Sequence, residues 1–155
     1  MFKVERYVTL MSDEKAPARA RCAVRNALAA WEYDASVTNT VTLLASELVT
    51  NAIRHVPGAI CVVLRFGVLN EVLAVEVYDE SPVRPARKAA AADAESGRGL
   101  GIIEAVTAEN GGRCGFKVAG GGKWVFATLK VPPVPERVRA RESAGIRGGL
   151  VREPA

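Results

Sequence analysis

Apolar positions recur along this chain at two spacings, and they divide it into alternating strands and helices. Val4, Tyr7, Val8 and Leu10 stand among polar neighbours and predict a first strand over residues 3–11. Ser12-Asp13 offers an N-cap for a helix to about Tyr33, whose regular part starts near Pro17 and whose apolar face holds Ala23, Ala27, Ala30 and Trp31. Asp34-Ala35-Ser36 closes that helix and caps a second, about Val37 to Val56. There Val37, Val41, Leu44, Leu48 and Ala52 form a stripe at spacings of three and four, until Pro57-Gly58 ends it. Two alternating runs follow, about Ala59–Gly67 and Val72–Asp79, and read as a hairpin turning at Asn70.

Between Glu80 and Gly99 the composition shifts to Pro, Ala and Arg, which reads as a mobile cover or a helix within its Ala run. A third helix is predicted from about Leu100 to Glu109, closed by Gly111-Gly112. A second hairpin follows, Arg113–Ala119 and Lys123–Val131 about the turn Gly120-Gly121-Gly122. Residues 132–155 have no apolar periodicity and read as a Pro/Arg/Gly-rich tail, disordered or loosely docked, after a single domain over 1–131. The order predicts an α+β fold, a two-layer sandwich with helices on one face of a mixed, mostly antiparallel sheet.

Composition narrows the function classes. With 49% hydrophobic and 25% charged residues in 155, the chain can bury a core. No apolar run reaches the ~20 residues of a membrane span, and the charged start, MFKVERYVTL, lacks a signal-peptide core, so a cytoplasmic protein is expected. The net charge is +4, of which the tail's five Arg against three Glu supply +2. No basic cluster is interleaved with aromatics, so nucleic acid is not an expected partner. Cys22, Cys61 and Cys114 are far apart, and with one histidine they make no zinc site; they read as reduced, buried apolar groups.

Three constellations carry chemistry. In the second helix, LLASELVTNAIRH, residues turn by about 100° each, so Glu47, Asn51 and Arg54 share a flank beside the apolar stripe. A carboxamide oxygen suits Mg²⁺, and a neighbouring carboxylate can take a proton from a hydroxyl or water attacking a phosphate. Asp79 ends the apolar face of Leu73, Val75 and Val77, where an acid needs a donor. In SGRGLG, Gly97, Gly99 and Gly101 let backbone N–H groups converge on an anion at a helix start, and Arg98 adds a planar cation. It is neither the dinucleotide fingerprint nor a Walker loop. Gly121-Gly122-Lys123 reads as a hairpin turn, and His55 as a packed, hydrogen-bonded histidine beside the core stripe.

In this order and spacing, ELVTNAIRH, a strand ending in Asp, GRGLG and a glycine-turn hairpin resemble the GHKL ATPase and histidine-kinase superfamily, whose fold is the Bergerat fold. Within it the chain is similar to the small stand-alone anti-sigma-factor serine/threonine kinases of bacteria, over about Val4 to Val131. The resemblance implies an ATP and Mg²⁺ site. Asn51 would hold the metal against the phosphates, and Glu47 would be the catalytic base. Asp79 would take the adenine amine, Gly97, Arg98, Gly99, Leu100 and Gly101 would cover the phosphates, and Thr128 would help hold the adenine end. It also implies a STAS-type anti-anti-sigma protein as acceptor, a sigma factor as a second partner, and a homodimer. One departure stands out: the stretch from Asp79 to Pro85, DESPVRP, lacks the glycines of the family's first glycine box. Two alternatives fit other features: a nucleotide-gated, sigma-sequestering module without kinase activity, and a nucleic-acid binder using the tail.

Overall fold

A computed structural model of the chain describes residues 4–81 and 94–147, the side chains of 94–98 and 146–147 excepted. The order is β1 (Val4–Met11), α1 (Ala16–Ala30), α2 (Ala35–His55), β2 (Cys61–Leu69), β3 (Val72–Asp79), α3 (Ala94–Glu109), β4 (Cys114–Ala119), β5 (Gly122–Lys130) and α4 (Glu136–Arg147). The strands form one five-stranded sheet in the order β1-β2-β3-β5-β4. All four pairings among the described residues are antiparallel, more uniformly than the mixed, mostly antiparallel sheet that the element order predicts.

Strand parity decides which face is covered. Val62, Leu64, Phe66 and Val68 of β2 and Leu73, Val75 and Val77 of β3 point the same way, and each is buried. Against them lies the α2 stripe, with Val41, Leu44, Leu48 and Ala52 buried and Val37 partly so. Helix α1 buries Ala16, Ala20, Val24, Ala27 and Leu28, and the three alanines let it lie close to α2. Asp34 caps α2, its Oδ1 accepting the Val37 N–H at 2.9 Å. The start of α1 is later than a cap at Ser12-Asp13 implies: Lys15 is the N-cap, Pro17 lies in the first turn, and the Asp13 carboxylate instead accepts the Lys15 N–H at 2.8 Å. Asn70 turns the first hairpin at φ 57°, and Gly120 and Gly121, at φ 57° and 85°, turn the second. All three cysteines are free, and Cys22 is exposed, not buried. Among the described residues no helix is long and apolar enough to cross a membrane.

The segment read as a tail is structured as far as Arg147. Val134, ahead of helix α4, and Val138 within it are buried in the same core cluster as Val4 and Trp31. Two valines give too short an apolar pattern to read as a stripe, and polar contacts supply the rest. Arg6 of β1 forks onto Glu142, Arg137 pairs with Glu32 at 2.7 Å, and Arg141 donates to the Ala30 carbonyl at the end of α1. Donation from Arg6 holds the Glu142 carboxyl below the usual carboxylate range. Tyr33 donates its hydroxyl to the Pro132 carbonyl at 2.8 Å, and burial pushes its ionisation up to about 12.

Candidate nucleotide site

The second half of α2 builds the site. Leu48 and Ala52 anchor it in the core, so the flank one residue back, Glu47 and Asn51, is carried to the rim of the sheet beside the end of β3. Asn51 is 8% exposed and Glu47 half-buried. The Nδ2 of Asn51 is buried with no hydrogen-bond partner, which an isolated fold does not leave without cost.

Gly99 of α3 lies directly over this pair. A Cβ placed on Gly99 would sit 2.9 Å from Asn51 Oδ1 and 2.9 Å from Glu47 Oε2, so the two polar heads converge on one point that only a glycine leaves open. A carboxylate and a carboxamide oxygen facing one point suit a hard cation that takes most of its ligands from phosphate and water. Among the described residues no group of three His, Cys, Asp or Glu could hold a metal alone. A divalent cation at this point would take Asn51 Oδ1 as a protein ligand and most of the rest from phosphate and water.

GRGLG was expected as a loop ahead of its helix. It lies instead inside α3, which begins at Ala94 because Ala94 and Glu95 extend the helical stretch upstream. From Arg98 onward the N–H groups are then directed along the helix and not at an anion. Gly97, Arg98 and Gly101 belong to α3; the side chain of Arg98 and residues 82–93 of the expected cover lie outside the described residues.

Next to Gly99, Leu100 closes a cavity of about 10 Å³ lined also by Leu48, Asn51, His55, Asp79 and Val125, room for no more than a water. His55, read as packed, is the exposed last residue of α2, and its ring edges this cavity.

Asp79 reaches the cavity as its position at the end of the apolar face of β3 foretells, and it is 2% exposed. Its partner was missed by sequence reasoning. Lys123, paired with Asp79 across β3 and β5, is 0% exposed and donates to Asp79 Oδ1 at 2.7 Å. Lysine's place in the same alternation as Val125, Ala127 and Leu129 was the available signal. Thr128 is not in the site. It pairs with Ala74, points to the opposite face, exchanges hydrogen bonds with the Arg113 backbone at 3.0 and 3.2 Å, and lines a separate groove with Phe126 and Lys117. Five positions separate it from Lys123, and odd spacing on a strand reverses the face.

Glu47, Asn51, Asp79, Gly99 and Leu100 thus meet where α2, α3 and the end of β3 converge. None of the curated proteins matches the chain in sequence. Among solved structures, a histidine kinase of Acinetobacter baumannii, AdeS, aligns over 81% of this chain and 68% of its own with 16% identity and a TM-score of 0.47. The family model of the histidine kinase-like ATPase domain matches residues 11–129, and such domains bind ATP, usually with Mg²⁺. With that match covering most of its 155 residues, the chain belongs to the histidine kinase-like ATPase domain family.

Proposed function

We propose that this ATP-binding domain is a serine/threonine protein kinase of the anti-sigma-factor type, acting on a small STAS-type partner. The observation that supports it is the convergence of Glu47 Oε2 and Asn51 Oδ1 on one point beside Gly99. Asn51 would hold the cation that bound ATP brings, and that cation supplies charge neutralisation at the phosphates. The acceptor hydroxyl oxygen then forms a bond to the γ-phosphorus as the bond from that phosphorus to the β–γ bridging oxygen breaks. ADP leaves with the electron pair, and Glu47 takes the hydroxyl proton. Glu47 beside Asn51 would give the acceptor's proton a place to go, and that favours a kinase over a domain that only binds.

A second reading, a nucleotide-gated module that holds a sigma factor without phosphorylating anything, is favoured by the nearly closed cavity at Leu100 and by the glycine-free stretch after Asp79. Calorimetry with and without Mg²⁺ on wild type, Asn51→Ala and Asp79→Ala tests the pocket, and both changes should weaken magnesium-dependent ATP binding. Transfer of labelled γ-phosphate to a STAS-type protein then separates the readings. Under the kinase reading Glu47→Gln loses transfer by about 100-fold or more while ATP affinity stays within about threefold. Wild type that binds ATP and transfers nothing leaves the second reading.

A further inference from the structure

The buried ammonium of Lys123 belongs to neither the metal end of the site nor the core. It donates to Asp79 Oδ1 at 2.7 Å and to the Ser81 carbonyl at 2.9 Å, while the Ser81 N–H returns to the same Oδ1 at 2.9 Å. One carboxylate oxygen therefore receives two donors, and Ser81 is fastened at both its N–H and its carbonyl. Among the described residues the other oxygen, Oδ2, receives no hydrogen bond. Asp79 lines the cavity between α2, β3, α3 and β5, and Lys123 does not. The lysine thus stands behind the acid and presents it to the cavity.

Its neighbour in sequence fixes the approach. A Cβ on Gly122 would fall 2.2 Å from the Asp79 carbonyl oxygen and 2.7 Å from the Tyr78 ring, so β5 can come this close to the end of β3 only with glycine there. Gly122 brings the strands together, and Lys123 uses the contact.

We infer that Lys123 is a positioning residue for base recognition. It holds Asp79 by Oδ1 and so leaves Oδ2 for the ligand. It also fastens the Asp79-Glu80-Ser81 turn in a chain whose sequence there has no glycine to shape it. The inference rests on the nucleotide reading of the site. It goes beyond that reading in making the choice of base depend on a residue two positions past a hairpin turn.

A carboxylate held with one oxygen outward is an acceptor only, matched to a 6-amino group. A purine without that group leaves Oδ2 without a donor in a dry site. The wild-type protein with Mg²⁺ should therefore bind ATP about tenfold or more tightly than purine riboside triphosphate, which lacks the 6-amino group and keeps every other contact. In Lys123→Met the buried carboxylate loses both its charge partner and its fixed orientation, and the ratio should fall toward one. Lys123→Gln keeps a polar donor near Asp79 but no charge. It provides a folded variant should the methionine change cost the fold, and its ratio should fall as well. Each variant is titrated well below its own melting temperature, so a purely structural ion pair would lower that temperature and leave the ratio alone.

A wild-type ratio in folded variants overturns the inference and leaves the nucleotide site standing. Wild type that binds both triphosphates equally overturns it too, because Asp79 then reads no amine. Wild type that binds neither overturns the nucleotide reading, and the inference with it.

Discussion

At Gly99 a single hydrogen atom separates two functional side chains from the helix above them. Glu47 is a flexible chain ending at Oε2 and can swing aside, whereas Asn51 is 8% exposed and hemmed in. Gly99→Ala therefore moves the Asn51 amide and the Glu47 carboxylate off their common point. The same change gains up to about 1 kcal/mol of helix propensity in α3, which offsets part of the steric cost of about the same size. The expected outcome is a melting temperature within a few degrees of wild type and magnesium-dependent ATP affinity weakened by tenfold or more, read by calorimetry beside a thermal melt. Unaltered affinity would mean that the convergence of Glu47 and Asn51 has no part in binding. The sequence carried Glu47, Asn51 and Asp79 clearly, because helical angle and strand parity alone put them at the rim. It misplaced Thr128, where a type match outweighed parity. It also hid Lys123, since a lysine on an apolar face is ordinarily solvated and its burial here depends on a partner 44 residues away.

Among the elements, α3 is the one whose position conflicts with a loaded site. With the Leu100 side chain against Leu48 and Val125, the cavity of about 10 Å³ holds no adenine ring. Nucleotide entry must turn the Leu100 side chain away from Leu48 and Val125, with Gly99 still over Asn51 and Glu47. The first turns of α3 carry three glycines, each costing about 1 kcal/mol in a helix relative to alanine, so they yield readily to that adjustment. Saturating ATP with Mg²⁺ should change amide exchange over 94–101 by more than over the rest of α3, where Ile103 and Thr107 are buried, and leave α1 and β1 at their ligand-free rates. Uniform slowing across the sheet would instead report global stabilisation by ligand and no local rearrangement. The strands and α2 were legible because each buries an unbroken set of positions at one period. The early start of α3 was not, since glycine reads as a loop wherever packing does not show why it is needed. Helix α4 was missed for the converse reason: its hold on the domain is mostly arginine, and arginine on a short helix looks like solvent-facing charge.

Across the whole molecule, the site and α4 stand far apart along the sheet. The nucleotide end is built on β3 and β5, and α4 braces β1, at the edge, together with the end of α1. Removing residues 132–155 discards the buried Val134 and Val138 and exposes the part of the shared core that they cover. At about 25 cal/mol per Å² of apolar surface this costs about 3 kcal/mol, a sizeable share of a typical domain's stability. The truncated protein should melt several degrees lower yet bind ATP, below that temperature, with the affinity of the full chain. A parallel loss of affinity would show that α4 reaches the site through the sheet. The ion pair within this brace has its own pH signature. Arg6 holds the folded-state carboxyl of Glu142 below its unfolded value, so its contribution is present above the usual carboxylate range and is lost as pH falls through the folded value. Arg6 is 39% exposed on its side chain, which limits the pair to about 1 kcal/mol. Glu142→Gln should therefore be less stable than wild type at neutral pH by about that amount, and the two denaturation midpoints should converge in acid below the carboxylate range. A gap that persists there would assign the loss to packing around Trp31, since a protonated Glu142 can no longer pair with Arg6.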